Sequence, residues 1–250
     1  MLKILLNLCI TLNFLPASNL YERIRNKDTI IVATEGTYPP FSYRNEQGQL
    51  TGYDVEVARA VAKEMGVKIV FYEMSSNVML KKLHSGHVDL IANQLEITSN
   101  NRYAYFDEST PYTYFHTVIV GRRDQDTIHN LDKIQGLRAA QSRIDYAGLA
   151  LTQYAHIIPA ENTEKALLLI QDRRADITFS TSLSASEYMS KYSGVFRILW
   201  ESEDERHTGF VLNKFNDVAL SCINRALENL RLEGMLRKLS LRFFGENAMH

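Results

Sequence analysis

Short runs of apolar residues alternate along this chain with segments in which apolar residues recur every three or four positions. An apolar run of roughly four to eight residues is typical of a buried strand, and the wider spacing is typical of an amphipathic helix. In the first part of the chain the strand-like runs are 29–34, 67–74 and 88–97, and the helical segments are 54–65 and 78–86. Apolar strands in this β–α–β order predict a parallel sheet that is covered by helices.

The same alternation restarts further along and produces a second unit of similar size. Its strand-like runs are 137–141, 156–160, 175–181 and 196–200, and its helical segments are 130–136, 145–154, 163–174 and 184–194. Segments 114–123 and 207–214 join the units, and each contains a glycine. A final helix, with Leu220, Ile223 and Leu227 on one face, needs a partner surface that the first unit can supply. We therefore predict an α/β fold of two lobes that close on a ligand as hinged bodies.

These patterns predict a first lobe that is discontinuous in sequence, made of 28–119 and 209–250, and a second lobe made of 120–208. Residues 1–17 stand apart from both lobes. Lys3 is followed by an apolar stretch and then by Pro16 and Ala17, which is the pattern of a secretory signal peptide. A buried N-terminal helix is the alternative interpretation.

The stretch EGTYPPFSY, residues 35–43, follows the first predicted strand. A turn after a strand needs glycine and proline, but it does not need Tyr38 and Phe41 beside them. Their rings either pack on the core or contact a ligand. Ligands of open α/β sheets bind outside the carboxyl ends of strands, and this position favours the second interpretation. Further along, Asp54 stands where it can cap the next helix.

The composition argues against nucleic-acid binding, a disulfide framework and a metal or redox site. The chain has 250 residues and a net charge of −1, so it carries no electrostatic signature of nucleic-acid binding. Its two cysteines, Cys9 and Cys222, are too few for a disulfide framework, and no CxxC or HExxH motif occurs. We expect no metal and no cofactor.

Four motifs occur in one order: EGTYPPFSY, then GQLTGYDVEVARAVAKEMG, then HVDLIANQLEIT, then Arg102 followed by YFDESTPYTY. In this order and spacing, over about 28–245, the chain resembles the extracytoplasmic solute-binding proteins of polar amino-acid ABC transporters, family 3, and among them the cystine-binding group. The resemblance implies the two-lobed periplasmic-binding-protein fold of type II with two hinge crossings. It also implies a monomer without catalytic residues, periplasmic or otherwise extracytoplasmic, that carries a small-molecule ligand to a membrane permease.

The resemblance also implies site residues in the first lobe. Tyr38 would stack on the ligand and Tyr53 would form the opposite wall, with packing on the neighbouring helix as the alternative for Tyr53. Arg102 stands eight residues before Thr110, at the family's spacing for the arginine that binds the ligand carboxylate. A guanidinium suits that role because it forms two hydrogen bonds with one carboxylate.

Three further first-lobe residues belong to the same expectation. Glu35 stands where the family often has an acid that faces the ligand. Gln94 and Glu96 stand two residues apart at the end of a predicted strand, so they would share the face that meets the cleft.

Two departures from the family pattern affect the second lobe. The family's Gly-Thr pair is missing from 139–148, where Ser142 is the candidate substitute. Thr181 stands where the family has the Asp that binds the ligand ammonium. We therefore predict that Glu96, or alternatively Glu35, supplies the missing acid. Otherwise the ligand lacks an ammonium group or the second lobe no longer binds.

Three functions stay open on the sequence alone. The first is a binding protein that delivers an amino acid, cystine-like or other, to a permease. The second is a sensor or other binding module on the same scaffold, which the two departures favour. The third is an enzyme that resembles cyclohexadienyl dehydratases, which would need an acid near a carboxylate-binding arginine. We expect the first and do not expect an enzyme.

Overall fold

The computed structural model describes residues 19–97, 105–141, 155–245 and 248. The signal peptide expected at 1–17 and the helix expected at 145–154 lie outside the described residues. The helices are α1 Leu20–Lys27, α2 Tyr53–Glu64, α3 Ser76–His84, α4 Thr163–Gln171, α5 Ser182–Lys191, α6 Asp217–Leu232 and α7 Met235–Phe244, with a 3-10 turn at Leu131–Ile134. The strands are β1 Thr29–Thr34, β2 Thr37–Tyr38, β3 Ser42–Arg44, β4 Leu50–Thr51, β5 Lys68–Glu73, β6 Leu90–Ile91, β7 Phe106–Glu108, β8 Thr113–Arg122, β9 Arg138–Gln141, β10 His156–Pro159, β11 Ile177–Thr181, β12 Phe196–Thr208 and β13 Val211–Asn213.

The first lobe is built on a five-stranded sheet in the order β5-β1-β6-β13-β7. Strand β1 pairs in parallel with β5 and β6, whereas β13 runs antiparallel to β6 and β7. Strand β13 comes from the far end of the chain, so this lobe is discontinuous in sequence. A small sheet of β2, β3 and β4 stands between β1 and α2 in the chain.

The second lobe is built on a separate five-stranded sheet in the order β10-β9-β11-β8-β12. Strands β8 and β12 form a long antiparallel pair in which Thr113 lies opposite Thr208. The chain passes from one lobe to the other at the beginning of β8 and at the end of β12, and we call these two places the crossings. The predicted two-lobed fold with two crossings is confirmed. The second sheet begins at Thr113, earlier than the boundary expected at 120.

Helices at both ends of the chain cover the first lobe. Ile223, Leu227 and Leu230 of α6 are buried in one cluster with side chains of α2 and β1. The partner surface predicted for the final helix is therefore the first lobe. The expected single helix is interrupted at Gly234, which has a left-handed backbone (φ 74°) and precedes α7.

Three elements differ from the sequence prediction. The strand predicted at 88–97 is only two residues long, because Gln94 has a positive φ of 48° and the chain turns away from the sheet. Asp54 does not cap helix α2 as predicted, because it lies inside the first turn. The N-cap residue is Gly52, so no side chain caps this helix. Gly121 stands at the far end of β8, where an added Cβ would lie 2.5 Å from Leu199 Cδ1, so it serves close packing rather than hinge rotation.

Gly52 allows the hairpin to approach α2. Its φ is 124°, and an added Cβ would lie 2.3 Å from the carbonyl oxygen of Phe41. We predict that Gly52→Ala lowers the free energy of unfolding by about 2–4 kcal/mol in urea denaturation, because backbone strain adds to overpacking.

Gly48→Ala is the matched control for this prediction. Gly48 also has a positive φ, 74°, but an added Cβ would meet nothing within 4 Å. In this variant the free energy of unfolding should fall by only about 1–2 kcal/mol, the strain of an alanine in a left-handed backbone conformation. Equal losses in the two variants would contradict the packing explanation.

Candidate functional site

The carboxyl ends of β1 and β6 form one wall of the cleft between the lobes. Glu35 follows β1 directly, and Asn93 lies two residues beyond β6. The backbone N–H of Glu35 donates to Asn93 Oδ1 over 2.9 Å, and Asn93 Nδ2 donates to Glu35 Oε2 over 3.5 Å. Asn93 therefore holds the Glu35 carboxylate at this edge. Sequence reasoning missed Asn93, although a polar residue after a short buried strand is a usable signal.

Hydrogen bonds also hold the turn that carries Tyr38. Ser42 Oγ accepts from Thr34 Oγ1 over 2.6 Å and from the N–H of Gly36 over 2.9 Å. Tyr38 pairs with Ser42 across β2 and β3, and its ring lies 5.1 Å from that of Phe41. Phe41 is a core residue with no exposed surface, and Tyr38 is largely buried in the same cluster. Ligand contact by Tyr38 stays a prediction.

The facing wall belongs to the second lobe and is formed by the end of β11 and the beginning of α5. Thr181 Oγ1 accepts from the N–H of Ser184 over 3.1 Å, which caps α5. Ser182 Oγ accepts from the N–H of His116 on β8 over 3.2 Å. Thr181, where the resemblance leads us to expect an acid, is therefore buried and engaged in the helix cap.

The two lobes touch across the cleft. Tyr38 of the first lobe and Leu183 of α5 belong to one buried cluster. Burial raises the pKa of the Tyr43 hydroxyl, and the carboxylate of Glu187 on α5 raises it further. Side chains of both lobes are buried together here, and we call this arrangement of the lobes closed.

Tyr53 is a core residue, and the prediction that it forms a wall of the cleft is wrong. Its side chain is fully buried, and its hydroxyl donates to the carbonyl oxygen of Tyr112 over 2.7 Å. Its ring lies 4.7 Å from that of Phe244 on α7. The alternative interpretation, packing on neighbouring helices, is the correct one.

Gln94 connects the cleft wall to both crossings. Its Nε2 donates to Asp54 Oδ1 over 2.6 Å and to Thr113 Oγ1 over 3.1 Å, and its Oε1 accepts from Thr208 Oγ1 over 2.7 Å. The hydroxyl of Tyr112 also donates to Asp54 Oδ1, over 3.2 Å. The side chain of Gln94 is therefore committed to the crossings, a role that the sequence pattern did not indicate.

Glu96 forms an ion pair with Arg206 of β12. Only 8% of the Glu96 side chain is exposed, against 31% of Arg206. A ligand ammonium that used Glu96 would have to compete with this guanidinium. Sequence reasoning missed Arg206, which stands 110 positions from Glu96 in the chain.

Two predicted ligand contacts, Arg102 and Ser142, lie outside the described residues. Within the described part of the chain, no group of histidine, cysteine, aspartate and glutamate side chains could hold a metal ion. Over the same residues, no helix has the length and apolar character needed to cross a membrane.

The comparison with known proteins identifies the family. Residues 30–246 match the sequence model of the bacterial extracellular solute-binding proteins, family 3. The chain belongs to this family. It is 33% identical over 235 residues to a probable amino-acid ABC transporter-binding protein of Haemophilus influenzae, covering 93% of this chain and 91% of that protein.

Two solved structures of solute-binding proteins differ in how well they match this one. The L-cystine solute receptor of Neisseria gonorrhoeae, in its unliganded open conformation, is 38% identical to this chain and has a TM-score of 0.66. The match covers 92% of this chain and 98% of the receptor. An ancestral arginine-binding protein bound to arginine is 26% identical to this chain and has a TM-score of 0.81. The match covers 87% of this chain and 99% of that protein. The less similar sequence gives the better superposition.

Glu108 lies at the second crossing of this solute-binding fold. Its Oε1 accepts from the N–H of Gly209 over 2.5 Å. Burial, together with the nearby carboxylate of Glu96, raises the pKa of Glu108 from 4.5 to about 7, although the Gly209 N–H opposes the shift. Between these pH values the folded protein keeps a proton that the unfolded chain has released, so the contribution of Glu108 to stability falls as the pH rises.

We predict that Glu108→Gln flattens the pH dependence of stability between pH 4.5 and 7. The amide still accepts a hydrogen bond but carries no charge, so at pH 8 the free energy of unfolding should exceed that of the parent by on the order of 1–3 kcal/mol. Urea denaturation at several pH values measures both quantities. Glu46→Gln, at an exposed position, is the control. Parallel curves for Glu108→Gln and the parent would contradict this account.

Proposed function

We propose that this protein binds a small polar ligand, an amino acid, in the cleft between its lobes, outside the cytoplasm, and delivers it to the permease of an ABC transporter. The observation that carries the proposal is Tyr38, which follows β1 and is buried in one cluster with Leu183 at the beginning of α5. An aromatic wall of this kind binds small ligands well because its ring loses little conformational entropy on ordering. Membership in the extracellular solute-binding family supports the same role.

The proposed ligand class is a zwitterionic amino acid, and cystine is the first candidate. The relatives support this choice through their names, an amino-acid transporter-binding protein and an L-cystine receptor. In our proposal Arg102 binds the α-carboxylate, and Glu96 or Glu35 receives the α-ammonium. Ser142 would supply hydrogen bonds from the second lobe. Export would depend on residues 1–17, which carry the pattern of a signal peptide.

The function is tested by identifying the ligand. Mass spectrometry of the molecule released from the purified protein comes first, and a denaturation screen with the twenty amino acids and cystine follows. A ligand present at 100 times its dissociation constant should raise the free energy of unfolding by about 2.7 kcal/mol. If no amino acid and no cystine stabilises the protein, the amino-acid proposal is wrong.

We predict that Arg102→Ala loses binding of the carboxylate ligand and keeps the fold. Removing one partner of a desolvated, charge-assisted pair costs about 2–5 kcal/mol, which lowers the affinity more than tenfold. Isothermal titration with the identified ligand measures the loss. Arg174→Ala, at an exposed arginine of the second lobe, is the matched control and should bind like the parent. An unchanged affinity for Arg102→Ala would remove this residue from the site.

A second candidate function is a sensor or binding module for another ligand class. It is favoured by Thr181, which is neutral and already engaged in the cap of α5. Without an acid there, the second lobe offers an ammonium group less electrostatic attraction. A co-purified ligand that lacks an ammonium group would favour this candidate. We favour both binding functions over an enzymatic one, because each of them requires only that the cleft binds a ligand.

A further inference from the structure

We propose that the ion pair of Glu96 and Arg206 is a latch that favours the closed over the open arrangement of the two lobes, and that Gln94 is the pivot about which the latch opens. This inference rests on the proposed function only in that the lobes close around a ligand. It concerns the ligand-free protein, so it can be tested without knowing the ligand.

The pivot is defined by hydrogen bonds at the crossings. Thr113 and Thr208 lie opposite each other in the β8–β12 pair, at the place where both strands leave the first lobe. One side chain, Gln94, bonds to both threonines and also to Asp54 of α2. Its backbone has a positive φ, 48°, a conformation that residues other than glycine rarely adopt. Because this amide bonds to both crossings, we infer that a rotation of the second lobe turns about it.

The latch lies one step further along the same two segments. Gln94 bonds to Thr208, and Glu96, two residues later, pairs with Arg206, two residues earlier. The two segments thus run side by side in opposite directions and contact each other through alternate side chains. A given rotation moves a contact more when it lies further from the pivot, so opening separates Glu96 from Arg206 while the bonds of Gln94 persist.

The charges around the pair give the latch its strength. The carboxylate of Glu96 also acts on Glu108, which is held at the second crossing by the N–H of Gly209. Arg206 offsets this local negative charge. The environment of Glu96 is nearly closed to solvent, so screening of the pair by water is reduced. Arg206 remains partly exposed, which leaves the pair weak enough to break when the lobes open.

The lobe arrangement determines the direction of the effect. Tyr38 and Leu183 are buried together across the cleft, so the pair is formed while the lobes are closed. Loss of the pair should therefore increase the open population of the ligand-free protein. An ion pair of this kind changes the ratio of open to closed protein by about threefold.

The experiment measures the distance between lobes by pulsed electron paramagnetic resonance on ligand-free protein. Spin labels are attached at Glu46→Cys in the first lobe and Lys133→Cys in the second, both exposed, with Cys9 and Cys222 replaced by serine. Arg206→Met removes the charge and keeps the length of the side chain. Arg197→Met is the control, since Arg197 lies on the same strand β12 and bonds to Thr127 away from the crossing.

The expected result is a ratio of open to closed protein about threefold larger for Arg206→Met and for Glu96→Gln, and an unchanged ratio for Arg197→Met. The double variant Glu96→Gln/Arg206→Met should be no more open than either single variant, because both remove the same interaction. An unchanged distance distribution in both single variants, or additive opening in the double variant, overturns the latch. Failure of the amino-acid proposal would leave these distances unaffected, so the two failures are distinguishable.

Discussion

The arrangement of the two lobes depends on the burial of one amide, that of Gln94. A buried amide that loses its hydrogen-bond partners costs about 1–3 kcal/mol for each unsatisfied group, so its partners must stay in place. Here the partners are Asp54 at the beginning of α2, Thr113 at the first crossing and Thr208 at the second. The first lobe, the cleft wall and both crossings are thereby joined in one polar network. A buried polar network of this kind specifies a single geometry, because any other geometry would leave some of its groups without hydrogen bonds. That is less favourable than an apolar core.

The packing of the first lobe explains why this network can lie so close to the cleft. Strand β6 is short, and the chain leaves the sheet at Gln94, which frees the following residues to run beside β12. The aromatic cluster of Tyr53, Tyr112 and Phe244 fills the space beneath. Asp54 is presented to the network by this packing, because it lies in the first turn of α2 next to a tyrosine that is fully buried.

The charges of the cleft are unevenly distributed between the lobes. The first lobe contributes Glu35 and Glu96, and β12 contributes Arg206, whereas the second-lobe wall contributes the neutral Thr181. In our proposal an acid of the first lobe, Glu96 or Glu35, therefore receives the ligand ammonium. A charged ligand would then be oriented mainly by the first lobe, and the second lobe would close over it through Leu183 and α5.

The sequence by itself determined the local structure of this protein and its family. The strand predicted at 29–34 is β1, the helix predicted at 54–65 is α2 within one residue at each end, and the strand predicted at 67–74 contains β5. Periodicity predicts these elements because it follows from backbone dihedral angles and from which face is buried. It also indicated two lobes, since the alternation of strands and helices begins twice.

Only the tertiary structure decided which side chains meet. Tyr53 is an aromatic residue near a turn, yet its ring is fully buried and packs against Phe244 of α7. The partner of Glu96 stands 110 positions away on β12. Such contacts depend on how the second lobe is placed across the crossings. That placement follows from packing and hydrogen bonding between distant segments, which no local pattern records.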